Sequence, residues 1–289
     1  MGNRERAMSR VVQGIVSLIP YKLRLAFYHI PLISSATRSL LRKTMPSRAV
    51  VKITAGLMKG YDMEVDLKCE KFYWLGTYEP AVQETMKKII EDGWVCYDIG
   101  AHIGYFSLLM ARLTRGKVFA FEPEPQNFRL LKKHAEINRL SEIVIPVPLA
   151  VSSKTGFAFL KKGRSSFTGR IRNSAEVDCE NNRVRVKATA LDHFVYVGGN
   201  PEPNFVKIDV EGFEGKVLEG AKRVLQETRP VVLCEIHNRE QGWGTYRILS
   251  EQGYLVFDVE KELRRLTAPK LSGHILACHR TINLLDHEK

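Results

Sequence analysis

The chain has 289 residues, 44% of them apolar and 26% charged, with a formal net charge of +12 at neutral pH. That length holds one large α/β domain plus an extension, and the composition excludes a disordered chain. Five cysteines (Cys69, Cys96, Cys179, Cys234 and Cys278) are odd in number, scattered and free of C-x-x-C spacing. This argues against a disulfide framework or a zinc module and for a reducing, cytoplasmic setting.

The charge is unevenly placed. Residues 1–60 hold 11 Lys/Arg and one acid, Glu5, whereas the rest of the chain holds 33 basic and 31 acidic residues. The sequence therefore divides into a basic N-terminal extension, 1–60, and a near-neutral body, 61–289. Within the extension, VVQGIVSLIPYKLRLAFYHIPLI (11–33) is broken by Pro20, Lys22, Arg24, His29 and Pro31. It lacks the roughly 18 uninterrupted apolar residues of a spanning helix. It suits a basic amphipathic segment resting on an anionic membrane surface at the cytoplasmic face, with 1–48 as the contact, and equally a helical lid packed on the body. A cleaved signal peptide fits less well, because no small-residue cleavage site follows.

From residue 94 strand-like and helix-like segments alternate. WVCYDI (94–99) reads as a strand and 105–113 as a helix. KVFAFE (117–122) is the next strand. A helix over 126–138 has Phe128, Leu131 and Ala135 on one face, and IVIPV (143–147) is a third strand. Residues 152–190 interrupt this rhythm with polar turns and short β pieces, FAFL (157–160) and RVRVK (183–187). FVKIDV (205–210) then resumes it, followed by a helix to about Gln226 that buries Val217, Leu218, Ala221, Val224 and Leu225. PVVLCEIH (230–237) is a strand and 243–252 a helix ended by Gly253. YLVFDV (254–259) and HILACH (274–279) read as a closing antiparallel pair. Near-continuous apolar strands in β-α-β order predict a doubly wound, mostly parallel, Rossmann-like sheet whose ligands sit beyond the carboxyl ends of the strands. Asp98, Glu122, Asp209 and Glu235 all fall at those ends.

The first such end, DIGAHIG (98–104), gives up side chains at Gly100 and Gly104, which allows positive φ and close approach of a ligand to the backbone. Glu122 follows 18 residues after Gly104, placed to accept the two hydroxyls of a ribose. A dinucleotide would set its pyrophosphate against the bend and the helix N-terminus. Asp98 repels phosphate and attracts a cation, and His102 fills the middle glycine position of G-x-G-x-x-G. The pattern therefore favours S-adenosylmethionine, with its sulfonium and ammonium groups, over NAD.

DIGAHIGYFSLLMARL, VFAFEPEPQNFRLLKKHAEIN and FVKIDVEGFEGKVLEGAKRVL, in that order, resemble the FkbM family of class I methyltransferases. The resemblance covers roughly 76–280 and extends to GTYEP (76–80), TALDHF (189–194) and CEIH (234–237). His102 departs from the asparagine frequent in the family, and the N-terminal arm lies outside the resemblance. The resemblance implies a Rossmann-like fold, S-adenosylmethionine as methyl donor, and O-methylation of a hydroxyl on a sugar, glycan or lipid- or polyketide-type acceptor. It implies that Asp98, Gly100, Ala101, His102 and Gly104 line the methionine end of the cofactor and that Glu122 holds the ribose. It also implies that residues around Leu149 and Ala150 lie near the adenine.

Transfer to an alkyl hydroxyl needs a base to take its proton. Asp209 and Glu211 in KIDVEG, and Glu235 and His237 in CEIH, are spaced i, i+2, so each pair points to one side while the chain stays extended. Asp209 and Glu211 form the expected acidic core, with His237 as the base best tuned near neutral pH. Glu235 would orient His237 or pair with Lys207. Asp209, Glu235 and His237 are types that can ligate magnesium, but their spacing demands no ion, and none is expected. The segment KKGRSSFTGRIR (161–172), with Gly163, Ser165, Ser166 and Gly169 among Lys161, Lys162, Arg164 and Arg170, reads either as an acceptor-binding lid or as a solvated loop. Two other functions stay open. One is an RNA methyltransferase, disfavoured by the near-neutral body, so that no nucleic-acid partner is expected. The other is a non-catalytic cofactor-binding scaffold at a membrane.

Overall fold

A computed structural model of the chain describes residues 48–67, 70–161, 170–172 and 183–279. The membrane-contact or lid segment expected within 1–48, apart from Arg48, lies outside the described residues. So do positions 162–169 of the basic Gly/Ser-rich stretch. Among the described residues no helix is long and apolar enough to cross a membrane.

The described residues fall into two compact units, one up to residue 83 with 136–139 and one of 84–135 with those from 140 onward. The first contains an antiparallel hairpin, β1 (Arg48–Lys52) and β2 (Asp62–Asp66), so a boundary at residue 60 falls inside its connection. Alternation is clean: Ala49, Val51, Met63 and Val65 point inward. Asn138 clamps the hairpin, accepting from Asp62 N at 2.8 Å and donating to Asp62 O at 2.7 Å. Helix α1 (Lys71–Leu75) ends at Gly76, whose left-handed φ of 72° lets its N–H bond back to the Tyr73 carbonyl. Helix α2 (Pro80–Ile89) then carries the chain into the second unit.

The second unit is built on β3 (Cys96–Ile99), α3 (Tyr105–Thr114), β4 (Val118–Phe121), α4 (Pro125–Ile137) and β5 (Val144–Val147). After the two-residue β6 (Ala150–Val151) come β7 (Gly156–Lys161), β8 (Arg170–Arg172) and β9 (Arg183–Thr189). The main sheet resumes with β10 (Phe205–Ile208), α5 (Glu214–Glu219), α6 (Lys222–Glu227), β11 (Val231–Ile236) and α7 (Arg239–Glu251). It closes with β12 (Tyr254–Asp258), β13 (Arg264–Arg265) and β14 (Gly273–His279).

The eight strands lie in the order β13-β12-β14-β11-β10-β3-β4-β5. The five from β11 to β5 are parallel, and β14 and β12 are antiparallel additions, as the sequence pattern predicts. Strands β3, β4 and β10 are buried at every position, which is why they read as unbroken apolar runs rather than alternating ones. Chain order reverses between β3 and β10, and at such a switch point ligands of open α/β sheets sit beyond the carboxyl ends of the strands. The interruption at 152–190 is a separate sheet, β6-β9-β7-β8, around Ala150, Ala158, Leu160, Val186 and Ala188.

Two helices differ from the sequence expectation. The helix expected to run to Gln226 is two, because Gly220 sits against the Ser152 carbonyl, where a Cβ would come within 2.2 Å of the oxygen. The second half, α6, has no cap of its own. The Asp192 carboxylate supplies one, accepting from Arg223 N at 3.0 Å and Val224 N at 2.9 Å. The aspartate of TALDHF therefore has a structural task. Helix α7 starts earlier than 243, at Arg239, because the Asn238 side chain caps it by accepting from Gln241 N.

Candidate active site

At the end of β3 the chain turns under the crevice. Gly100 has φ 82°, and a Cβ there would lie 1.8 Å from the Asp209 carbonyl oxygen, so only glycine lets β3 and β10 end side by side. Gly100 N and Ala101 N both donate to Phe121 O, at 3.1 and 2.9 Å, which fixes the bend to the end of β4. His102 and Gly104 are also left-handed, with φ 51° and 89°. A Cβ on Gly104 would meet Leu131 Cδ1 at 2.5 Å, so the second glycine lets α4 pack against the turn.

Two carboxyl groups face this bend. Asp98 is 1% exposed, and its Oδ2 accepts from the Ser107 hydroxyl at 2.5 Å. Its Oδ1 is buried with no hydrogen-bond partner among the described residues. Burial raises the Asp98 pKa, against the pull of Lys207 and Ser107. An acceptor left open at this depth fits a cationic or N–H-bearing ligand. Glu122 is 6% exposed; Oε2 accepts from His102 N at 2.9 Å and Oε1 from Glu124 N at 2.8 Å. Each oxygen keeps a lone pair for a ligand hydroxyl. Burial pushes this carboxyl up to about 8, although both backbone donors favour its charged form. Ala150 lies just past β5 in β6, paired with Ala188, and its side chain packs in the core of the small sheet.

The second group gathers at the ends of β10 and β11. Asp209 directly follows β10, Glu235 lies in β11, and His237 follows it. The imidazole Nε2 of His237 is 3.6 Å from Asp209 Oδ1, 3.5 Å from Glu211 Oε2 and 3.8 Å from Glu235 Oε1. Sequence spacing thus brought the two i, i+2 pairs to one place. Glu211 is turned in by a left-handed backbone, φ 53°.

The surroundings of His237 bear on the expectation of a base tuned near neutral pH. Burial alone would lower its pKa, but the hydrogen bond to Glu214 and the surrounding Glu235 and Asp209 carboxyls outweigh burial and raise it to about 9. Those contacts favour the protonated form of the imidazole near neutral pH. For Asp209, burial pushes upward, but Lys207 and the imidazoles of His237 and His274 keep it below the usual carboxylate range.

Lys207, expected as a partner of Glu235, pairs with Asp209 instead, and Glu214, His274 and Glu260 are supporting groups that the sequence reading did not name. Lys207, 2% exposed, lies opposite Asp98 in the β10–β3 register, and its Nζ bonds Asp209 Oδ2 at 3.0 Å. Glu214 is fully buried and accepts from Gly212 N at 2.9 Å; its Oε1 is 2.6 Å from His237 Nδ1. It, rather than Glu235, orients the imidazole. His274 faces Glu235 across the β11–β14 register, with Nε2 3.7 Å from Glu235 Oε2, while Glu260 Oε1 holds its Nδ1 at 2.7 Å. Lys207 was legible, since it precedes Asp209 by two in an extended run. Glu214 and Glu260 were not, because their roles depend on partners far along the chain.

Residues 98–267 match the model of the methyltransferase FkbM domain. The chain is similar to the hexuronic acid methyltransferase AglP of Haloferax volcanii, 31% identical over 172 residues that cover 58% of this chain and 68% of that protein. It is similar to the methyltransferase sdnD of Sordaria araneosa, 28% identical over 43% of this chain and 58% of that one. The crystal structure of methyltransferase FkbM from Methylobacillus flagellatus aligns with a TM-score of 0.46 and 18% identity over 72% of this chain and 52% of that chain. The chain thus spans about half of that structure and less than two thirds of sdnD. With its switch-point crevice, glycine bend and matched domain, the chain belongs to the FkbM family of S-adenosylmethionine-dependent methyltransferases.

Proposed function

We propose that this enzyme methylates a hydroxyl group of a sugar-type acceptor, free or within a glycan. The observation that carries the reading is the convergence of Asp209, Glu211, Glu235 and His237 at strand ends adjoining the β3 bend. Such a set can bind the hydroxyls of a polar acceptor and take a proton from one of them. The similar haloarchaeal protein is a hexuronic acid methyltransferase, which supports a sugar acid as acceptor.

Each end of the crevice has its own task. Asp98 Oδ1 takes the cationic methionine portion of the donor, and Glu122 takes the ribose hydroxyls. Gly100, Ala101, His102 and Gly104 let the ligand lie against the backbone. Lys207 balances Asp98 and Asp209, keeping both strand ends together without neutralising the acceptor edge. The bound donor supplies a methyl group on a sulfonium: as the acceptor oxygen bonds to that carbon, the C–S pair returns to sulfur and the hydroxyl proton is left for the protein. Glu211 or Asp209, both beside His237 Nε2 at 3.5 and 3.6 Å, takes that proton, while the carboxyls around the imidazole favour its protonated form. Holding the oxygen in line and excluding water accounts for most of the rate.

The test incubates the protein and S-adenosylmethionine with glucuronic acid, galacturonic acid, their neutral sugars and total RNA. The reading expects a methyl ether, stable to mild base, on a sugar. Methylation of RNA alone, or a base-labile methyl ester alone, would contradict it. Peripheral membrane contact through residues 1–48 belongs to the same reading and predicts that their deletion abolishes binding to anionic vesicles. Undiminished vesicle binding would contradict that part.

A further inference from the structure

We infer that the outer face of the small sheet binds an anionic glycan, so that the acceptor is a sugar within an acidic oligosaccharide chain rather than a free monosaccharide. The inference rests on the sugar-hydroxyl reading above. Strands β7, β8 and β9 carry six Lys/Arg and no acid. Register pairs Phe157 with Lys187, and Phe159 with both Arg185 and Arg172. Two residues further along β7, Lys161 pairs with Arg183 and Arg170. Strand positions alternate between the two faces, so these share the face opposite Ala158, Leu160 and Val186, which form the small core. Phe157 is 59% exposed, Arg185 and Lys187 are exposed, and Phe159 is half-buried.

This sheet concentrates the positive charge of the body. Residues 154–189 contain nine Lys/Arg and three acids, whereas the remainder of 61–289 contains 24 basic and 28 acidic residues. Cations gathered on one sheet of an otherwise acidic body make a local positive field that attracts a polyanion. Arg185 is also braced for one. Its Cζ lies 3.7 Å from the centroid of the Phe157 ring, which steadies the guanidinium by a cation–π contact. A steadied guanidinium loses less freedom when its planar fork takes a carboxylate in two parallel hydrogen bonds.

The acceptor edge explains why the occupant is a glycan. Asp209, Glu211 and Glu235 can take a hydroxyl but repel an anion. The charge of an acidic acceptor must therefore be met elsewhere, and Phe213 joins the two places. It lies two residues past Glu211 and packs against both the main core and the core of the small sheet. A glycan can offer a neutral hydroxyl to the acidic edge and lay the carboxylates of neighbouring sugars on the cations. RNA carries a phosphate on either side of each ribose and would press one against that edge. A lipid surface calls for an apolar face set apart from its cations, whereas Phe157 and Phe159 stand among them.

The full-length protein would be titrated with a galacturonate oligomer, a neutral glucose oligomer, an RNA oligonucleotide and phosphatidylserine vesicles. The expected result is saturable, salt-sensitive binding of the galacturonate oligomer and none of the neutral one. Arg185→Gln with Lys187→Gln should weaken oligomer binding about tenfold or more. The same variant should keep its S-adenosylhomocysteine affinity, which shows that it is folded. Lys87→Gln with Lys88→Gln removes two exposed cations from α2 and should leave oligomer binding unchanged. No saturable oligomer binding, equal weakening by both pairs, or a loss confined to RNA or to vesicles would overturn the inference. Oligomer binding that the Arg185 and Lys187 pair weakens, with no sugar hydroxyl methylated, would contradict the sugar-hydroxyl reading instead, so the two failures are distinct.

Discussion

The two ends of the crevice are built by different means. The proposed cofactor end is a matter of backbone: Gly100, His102 and Gly104 in left-handed conformations, and two buried carboxyls held by a hydroxyl or by main-chain N–H groups. The proposed acceptor end is a matter of side chains: Asp209, Glu211 and Glu235 are 19–30% exposed and surround the His237 imidazole. The first is preorganised for one ligand. The second can change its occupant by changing a few side chains, as a family with diverse acceptors requires.

The largest effect expected from this contrast is at Gly100. Gly100→Ala places a Cβ 1.8 Å from the Asp209 carbonyl, at a φ of 82°. It should cost about 3 kcal/mol or more in urea unfolding. A cost below about 1 kcal/mol would show that the bend is not set by backbone contact. Next, Asp209→Asn together with Glu211→Gln should lower turnover by about a hundredfold or more while leaving S-adenosylhomocysteine affinity within twofold, because a general base contributes on that scale. Equal losses in both would join the two ends into one.

A smaller effect separates the ends by pH. Burial raises Glu122 to about 8, so its neutral form predominates below that value. Ribose hydroxyls donate to the carboxylate, so binding requires loss of that proton. S-adenosylhomocysteine affinity should therefore rise with pH by up to about tenfold per unit below pH 8 and level off above it. Glu122→Gln should flatten this dependence. The smallest effect tests a residue outside both ends. Asp192→Ala removes the cap of α6 and should cost about 1 kcal/mol of stability with cofactor affinity unchanged.

The contrast also explains what could be read in the sequence. The parallel sheet was legible because strands buried on both faces leave uninterrupted apolar runs, and the bend after β3, with Glu122 beside it, because its glycines and that acid fall within one local stretch. Asp209, Glu211, Glu235 and His237 were named from their i, i+2 spacing, but β10 ends at Ile208 and it is the left-handed turn at Glu211 that brings its carboxyl to the group. The protonation of His237 was not legible, since it depends on Glu214, 23 residues away, together with Asp209 and Glu235. The break at Gly220 was hidden for the same reason. Helical periodicity continues through it, and only the Ser152 carbonyl and Asp192 show why the helix divides. The hairpin Arg48–Asp66 escaped as well, because the basic charge of 1–60 masked a two-residue alternation inside it.

The central claim is that the bend after β3 and the end of β4 hold S-adenosylmethionine. Calorimetric titration of the full-length protein with S-adenosylhomocysteine, beside Asp98→Asn and Glu122→Gln, tests it most directly. Saturable binding to the unaltered protein, weakened at least tenfold by each substitution in folded protein, is the predicted result. Binding that both substitutions leave unchanged would contradict the account and place the donor elsewhere.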